Sequence, residues 1–213
     1  MDIAIFNIHN YHEICDWLCK KDVAIKEIIA KYGYPPLWQR TPNFETLIHI
    51  ILEQQVSLAS ANAAFQKLKQ LIHYVTAEKI LSLTDEQLKA CYFSKQKKIC
   101  AKDLAQKVQN GVIILEELNV LTDAAILHEL KKVKGIGDWT ATVYLMMALH
   151  RSNLFPAGDI ALINSIKYEK NLSSNTTAET IIELANEWKP YRTVASFVFW
   201  WSYINRKNIQ WHP

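Results

Sequence analysis

Apolar residues return every three or four positions along most of the chain, and no segment alternates apolar and polar residues with a period of two. The first rhythm is that of a helix with one buried face; the second would mark a half-buried strand. Ile14, Trp17, Leu18, Ile25, Ile28 and Ile29 predict a helix over residues 10–32. The stretch "YGYPPLWQRTPN" cannot continue it, because its prolines and Gly33 break helical hydrogen bonding, and it reads as an extended crossing loop. Asn43 is a suitable N-cap for a helix to about Gln54, with Phe44, Leu47, Ile48 and Ile51 on one face. Another helix follows Ser57, and its Ala59, Ala61, Ala63 and Ala64 would let a neighbour approach closely. Thr76 and Thr84 open two short helices, the second with Gln87 placed for a capping box. "SKQKKICAKDLAQKVQNG" predicts a helix ended by Gly111, and Thr122 or Asp123 opens the next, through about Lys132. Beyond a glycine turn come a helix to about His150, the loop "RSNLFPAGD", a helix opened by Asp159, the loop "NLSSNTT", a helix from Thr176 or Thr177 to about Trp188, and a last helix opened by Pro190. The expected class is all-α, with about ten helices.

Composition narrows the picture. Half of the 213 residues are apolar, enough for a sizeable core, while five Gly and six Pro are few for a turn-rich all-β chain. No apolar run reaches the length of a membrane span, no secretory signal precedes the cysteines, and Cys15, Cys19, Cys91 and Cys100 include no CxxC pair. The expectation is a reduced, soluble protein of the cytoplasm. Cys15 and Cys19, four apart, read as the buried face of one helix; a metal site shared with His9 and His12 is the alternative. A net charge of +3 does not by itself indicate nucleic acid, but the charge is uneven. "SKQKKICAK" carries four lysines and "LKKVKG" three, with no acid in either, which suits either two phosphate-facing patches or two solvated helix faces.

Two of the five glycines fall in one turn, within "KGIGDWTATVYLMMALHRSNLFPAGDIAL". Gly135 and Gly137 flank Ile136, which would point inward as an apolar plug. The amides at and after Gly137 would then face outward at a helix N-terminus, a place for one phosphate, with Lys132 and Lys134 beside it. A nucleotide P-loop needs a longer glycine loop ending in Gly-Lys-Ser/Thr after a strand, and neither is here. A purely structural helix hairpin remains open from the turn alone. Asp159 reads either as a simple N-cap or as a functional carboxylate.

Taken together, Leu130 to Leu162, "FETLIHIILEQQVSLASA", "SKQKKICAKDLA" and "WKPYRTVASFVFWW" resemble the helix-hairpin-helix (HhH-GPD) DNA glycosylase superfamily over roughly residues 44–205. The nearest branch is that of 3-methyladenine DNA glycosylase II, without its N-terminal β domain. The resemblance implies two interleaved helical lobes with a DNA and active-site cleft between them. Residues 1–42 would pack with the C-terminal lobe, 43–150 would form a barrel-like lobe ending in the hairpin, and 151–213 would carry the catalytic loop and C-terminal helices. It implies a repair enzyme that flips out an alkylated, cationic purine and hydrolyses its N-glycosidic bond.

Residue by residue, Asp159 matches the catalytic Asp. Trp139, Trp200, Gln54 and Gln55 match the base pocket, with Tyr144 near it, one position off the family's tyrosine. Lys134, Gly135, Ile136, Gly137 and Thr140 match the backbone-binding hairpin, and Phe93 and Lys95 the wedge that enters the base stack. Bifunctional relatives place a lysine where this chain has Trp139, so water rather than an amine would attack and no lyase step would follow.

The chain departs from the family at Lys134, where proline is usual, and at Tyr92, where glycine is common. No cysteine follows Cys100, so the iron–sulfur cluster of related branches has no ligands in its usual place. No cofactor is required and no protein metal site is expected; a monovalent cation at the hairpin is the one ion the resemblance admits. The implied partner is double-stranded DNA with damaged bases, bound by a monomer that does not touch membranes and is nucleoid-associated if bacterial. The alternatives are a non-catalytic hairpin DNA-binding protein, or a glycosylase for deaminated or oxidised bases.

Overall fold

In the computed structural model, which describes residues 5–209, twelve α-helices follow one another. They are α1 (Tyr11–Lys21), α2 (Val23–Tyr32), α3 (Phe44–Glu53), α4 (Leu58–Ile72), α5 (Ala77–Ser82), α6 (Asp85–Ala90), α7 (Lys95–Gln109), α8 (Asp123–Lys131), α9 (Asp138–Met147), α10 (Ile160–Glu169), α11 (Ala178–Leu184) and α12 (Arg192–Arg206). Short 3-10 turns span Leu115–Val120 and Ala185–Trp188. The sole β pairing among the described residues is an isolated bridge between Ile5 and Arg151. No helix there is long and apolar enough to cross a membrane.

Two compact units divide the chain. One comprises residues up to Gln39 and from His150 onward; the other is continuous, Arg40–Leu149. In the first, α12 is the central element and packs against α1, α2 and α10, with Val194, Phe197, Val198 and Phe199 fully buried. In the second, α3 is central and touches α4, α7 and α9; Leu47, Ile48, Ile50 and Ile51 are sealed from solvent.

Local sequence chemistry sets most helix starts. The side chains of Asn43, Ser57, Thr76, Thr84, Ser94, Thr122, Asp159 and Thr177 each accept a backbone N–H of the following first turn, and Thr84 with Gln87 closes a full capping box. Each such cap typically adds about 1 kcal/mol.

The expected helix over 10–32 is in fact two. Asp22 is extended (φ −137°, ψ 117°), and its Oδ1 accepts from the amides of Ala24 and Ile25, which starts α2 afresh. Its Oδ2 accepts from Trp188 Nε1 and Lys170 Nζ, each at 2.7 Å. Four donors make a buried carboxylate tolerable at that point, and two of them lie far away in sequence. Other boundaries shift less. α9 stops at Met147, short of His150; α11 gives way at Leu184 to the 3-10 turn; α12 begins two residues after Pro190. Of the small residues on α4, Ala61 and Ala64 are buried while Ala59 and Ala63 face solvent. Cys15 is buried and Cys19 partly so.

Candidate active site and nucleic-acid interface

The two hairpin glycines answer to different constraints. Gly135 has φ +88°, and a Cβ there would stand 3.1 Å from Cys100 Cβ and 3.3 Å from its Sγ, so a side chain is disfavoured twice over. Gly137 has an ordinary φ of −101°, and a Cβ there would meet no atom of the described residues within 4 Å beyond its chain neighbours. A left-handed backbone therefore calls for glycine at position 135 alone. Ile136 is buried as the apolar plug, 4% exposed. Gly137 is the N-cap of α9 and offers no side chain to its first-turn amides.

Two side chains clamp the turn. Asp103 Oδ2 accepts from Lys134 N at 2.8 Å, and Gln54 Nε2 donates to the Gly135 carbonyl at 3.0 Å and to Thr140 Oγ1 at 2.8 Å. Gln54 thus braces the hairpin. The Thr140 hydroxyl is occupied by this brace and the residue is 2% exposed, so its side chain is not presented to a ligand as the resemblance implies; its amide at the helix start is what it can offer. Gln55 is exposed and left-handed (φ +55°), an uncommon conformation for a residue with a side chain. Asp103 was not legible as a site residue: on an amphipathic helix it looks like any solvated acid.

Most lysines of the two runs bond to groups of the protein itself. Lys97 is 8% exposed, and its Nζ donates to the Leu52 carbonyl in the last turn of α3. Lys102 Nζ donates to the carbonyls of Leu81 and Leu83 at the end of α5, and Lys98 pairs with Asp85 at 2.6 Å. Desolvation holds both Lys97 and Lys102 below the usual lysine range. In the second run Lys131 pairs with Asp138 and Lys132 with Glu129. Cations at helix C-termini satisfy orphan carbonyls and the negative end of the helix dipole. Exposed Lys95 and Lys134 line a cleft beside the hairpin, together with Lys98, Lys102, Asp85 and Asp103.

The aromatic candidates separate by burial. Trp139, second residue of α9, is half-buried. Tyr144 is 0% exposed, its hydroxyl makes no hydrogen bond among the described residues, and burial raises its pKa; it belongs to the core of the second unit, so its assignment beside the base pocket does not stand. Phe93 is 3% exposed and likewise core, which removes it as a wedge. Lys95 stays exposed at the start of α7. Tyr92 is the exposed aromatic of this loop, left-handed at φ +63°, with Lys67 Nζ 4.4 Å from its ring centre. That backbone conformation explains why glycine suits the position.

In the first unit Asp159 caps α10. Its Oδ1 accepts from Leu162 N at 2.8 Å and from Trp200 Nε1 at 3.1 Å. Trp200 lies against Phe197 (centroids 5.9 Å, 24°), and Trp38 meets its edge (6.2 Å, 76°). Phe197 and Trp38 are buried, whereas Trp200 is half-buried. Trp188 and Trp201 are structural: their indole N–H groups donate to Asp22 and to the Tyr32 carbonyl.

Comparison with known proteins supplies the family. Residues 48–190 match the HhH-GPD superfamily of base excision DNA repair proteins. The chain belongs to that superfamily. Among HhH-GPD relatives, DNA-3-methyladenine glycosylase 1 of Schizosaccharomyces pombe is 28% identical over 178 residues, covering 82% of this chain and 78% of the relative. YfjP of Bacillus subtilis, which carries a provisional name as a DNA-3-methyladenine glycosylase, is 30% identical over 83% of this chain, and the matched region spans 64% of that relative. The solved structure of S. pombe Mag1, a 3-methyladenine DNA glycosylase in complex with abasic DNA, superposes with a TM-score of 0.83 at 26% identity, covering 94% of this chain and all of the other.

Within this HhH-GPD chain, no group of three or more His, Cys, Asp or Glu among the described residues is arranged to hold a metal ion. Burial and the nearby Asp103 push the Cys100 thiol up to about 12, so it stays neutral and packs against the hairpin.

Proposed function

We propose that the protein is a DNA glycosylase that extrudes an alkylated, cationic purine such as 3-methyladenine and hydrolyses its N-glycosidic bond, leaving an abasic site. The observation that carries this is Asp159, a carboxylate fixed at a helix start with an indole donor on it. Bond cleavage builds positive charge on the deoxyribose, and a preorganised anion stabilises that charge and orients the attacking water. The same demand is met in glycoside hydrolysis, there with a second carboxyl as acid. A leaving base that is already cationic needs no acid. The ring face of Trp200, whose indole N–H reaches Asp159, favours such a base through cation–π attraction.

The hairpin unit supplies the grip. The uncapped start of α9 faces outward at Gly137, where no Cβ obstructs a phosphate, and Lys134 stands alongside. A monovalent cation there would be held by backbone carbonyls of the turn, of which that of Gly135 is engaged by Gln54; no step depends on it. Lys95 is the wedge candidate that stays exposed. Trp139 has no nucleophilic nitrogen, which supports a monofunctional hydrolase without lyase activity. We place this monomer in the cytoplasm, acting on duplex DNA. The names of the S. pombe and B. subtilis relatives point to the same substrate, and the DNA in the Mag1 structure is of the kind this reaction leaves.

Release of free bases from methylated duplex, identified by chromatography, tests the reading. Asp159→Asn is expected to slow release by about 100-fold or more while duplex binding persists. Near-normal release by Asp159→Asn would overturn the role of Asp159, whereas no release by the wild-type protein would favour a hairpin protein without chemistry. Borohydride treatment of the same reactions should trap no enzyme–DNA adduct; a lysine-dependent adduct would overturn the hydrolytic mechanism.

A further inference from the structure

The hairpin contains a β-turn over residues 133–136. Ile136 N donates to the Val133 carbonyl at 3.1 Å, and Gly135 has φ +88° while Lys134 before it is not left-handed. That is the pattern of a type II turn, whose second position takes proline readily because the ring holds φ near the value required. Here the second position is Lys134, which has no ring, and the residue after it is glycine, which restrains the backbone least of all.

The restraint comes from α7. Cys100 and Asp103 lie on one face of that helix. Cys100 fills the space beneath Gly135, its Cβ 3.1 Å from where a glycine Cβ would be. Asp103 Oδ2 accepts from Lys134 N at 2.8 Å and from Lys107 Nζ at 2.6 Å. Gln54 holds the Gly135 carbonyl from the end of α3. The amide that enters the turn and the carbonyl that leaves it are thus both anchored from outside. Burial acts to raise the Asp103 pKa, but the bonds from Lys107 and the Lys134 amide bring it below the usual carboxylate value, so the group is an anion at neutral pH. An anion beside a turn that faces phosphate weakens binding by repulsion, unless it does something there that outweighs the repulsion.

We propose that Asp103 is a positioning residue for DNA binding, its carboxylate locking the hairpin turn through the Lys134 amide. This rests on the reading above in which the hairpin grips the duplex. A locked turn presents the α9 start to a phosphate without first losing backbone freedom. It also relieves the second turn position of any need for a ring, so a lysine stands there with its side chain exposed. Asp103 acts through the turn and not on the phosphate.

Duplex binding is read by fluorescence anisotropy, and single-turnover base release beside KM, with thermal unfolding as a check on folding. Asp103→Ala is expected to weaken binding to damaged and undamaged duplex by about tenfold, with the loss in KM rather than in the saturated release rate. Replacing Lys134 by its α-hydroxy analogue deletes the N–H and keeps the side chain. It should weaken binding equally, and Asp103→Ala on top of it should add less than about twofold. Lys134→Ala keeps the N–H, so in that background Asp103→Ala should still weaken binding by about tenfold. Lys134→Pro, whose ring restrains the turn without an N–H, should make binding indifferent to Asp103. If Gly137→Asp leaves duplex binding unchanged, the hairpin reading itself fails. If Gly137→Asp weakens binding yet Asp103→Ala leaves it unchanged or tightens it, or if the loss from Asp103→Ala persists in full beside the α-hydroxy analogue, the positioning role is overturned.

Discussion

Gly135 is glycine for the protein's own sake; Gly137 has no internal reason to be. Its φ is ordinary and space beyond it is open. Aspartate there should be a better N-cap than glycine, and its charge suits a helix start. Gly137→Asp is therefore expected to hold or raise the melting temperature while weakening binding to damaged and undamaged duplex alike, as seen by calorimetry beside fluorescence anisotropy. Unchanged binding would make the hairpin a structural turn. Gly135→Ala should instead destabilise by roughly 1–3 kcal/mol, because the backbone is left-handed and Cys100 is in the way. This pair was legible in the sequence as a turn, and Asp159 as a helix cap. Tyr144 and Phe93 were misplaced for a common reason: an aromatic near a motif looks like part of it until tertiary packing shows which way it faces.

At the scale of elements, helix starts and several ends could be read, but not the side chains that hold some of those ends. N-caps are local, so Asn43, Ser57, Thr84 and Thr122 announce themselves. The C-terminal carbonyls of α3 and α5 are served by Lys97 and Lys102 from α7, and the break at Asp22 is made tolerable by Lys170 and Trp188. Such partners lie too far off in sequence for any window to find. The α3 helix also carries a titratable element. His49 stacks on Phe65 at 4.1 Å and lies 3.8 Å from Glu53, itself paired with Arg40. Desolvation lowers its pKa against the opposing pull of Glu53, while Arg40 and Lys69 lower it and Glu45 raises it. The unfolded chain then binds a proton first as pH falls through about 6.5, so stability should drop from there until the lowered folded value is passed. His49→Gln should flatten the unfolding free energy measured between pH 7 and 5; an unaltered slope would assign it to other groups.

At the scale of the molecule, the all-helical class followed from periodicity alone, whereas the division into units did not. The unit that carries Asp159 is assembled from two segments that flank Arg40–Leu149 in sequence. That topology bears on the order in which the protein can be made. During synthesis α1 and α2 emerge well before α12, with Leu18, Ile25 and Ile28 needing cover, yet the helix that packs on them is α12. Their partner leaves the ribosome only after the whole continuous segment. The continuous segment needs no such wait, and its shorter loops close at lower entropic cost. Pulse-labelled hydrogen exchange during refolding should find α3, α7 and α9 protected early, and α1 and α2 protected together with α12. Protection of α2 ahead of α12 would contradict this. Until α12 is made, the nascent chain holds a half-made apolar surface, the kind of interval in which chaperones engage and misassembly begins.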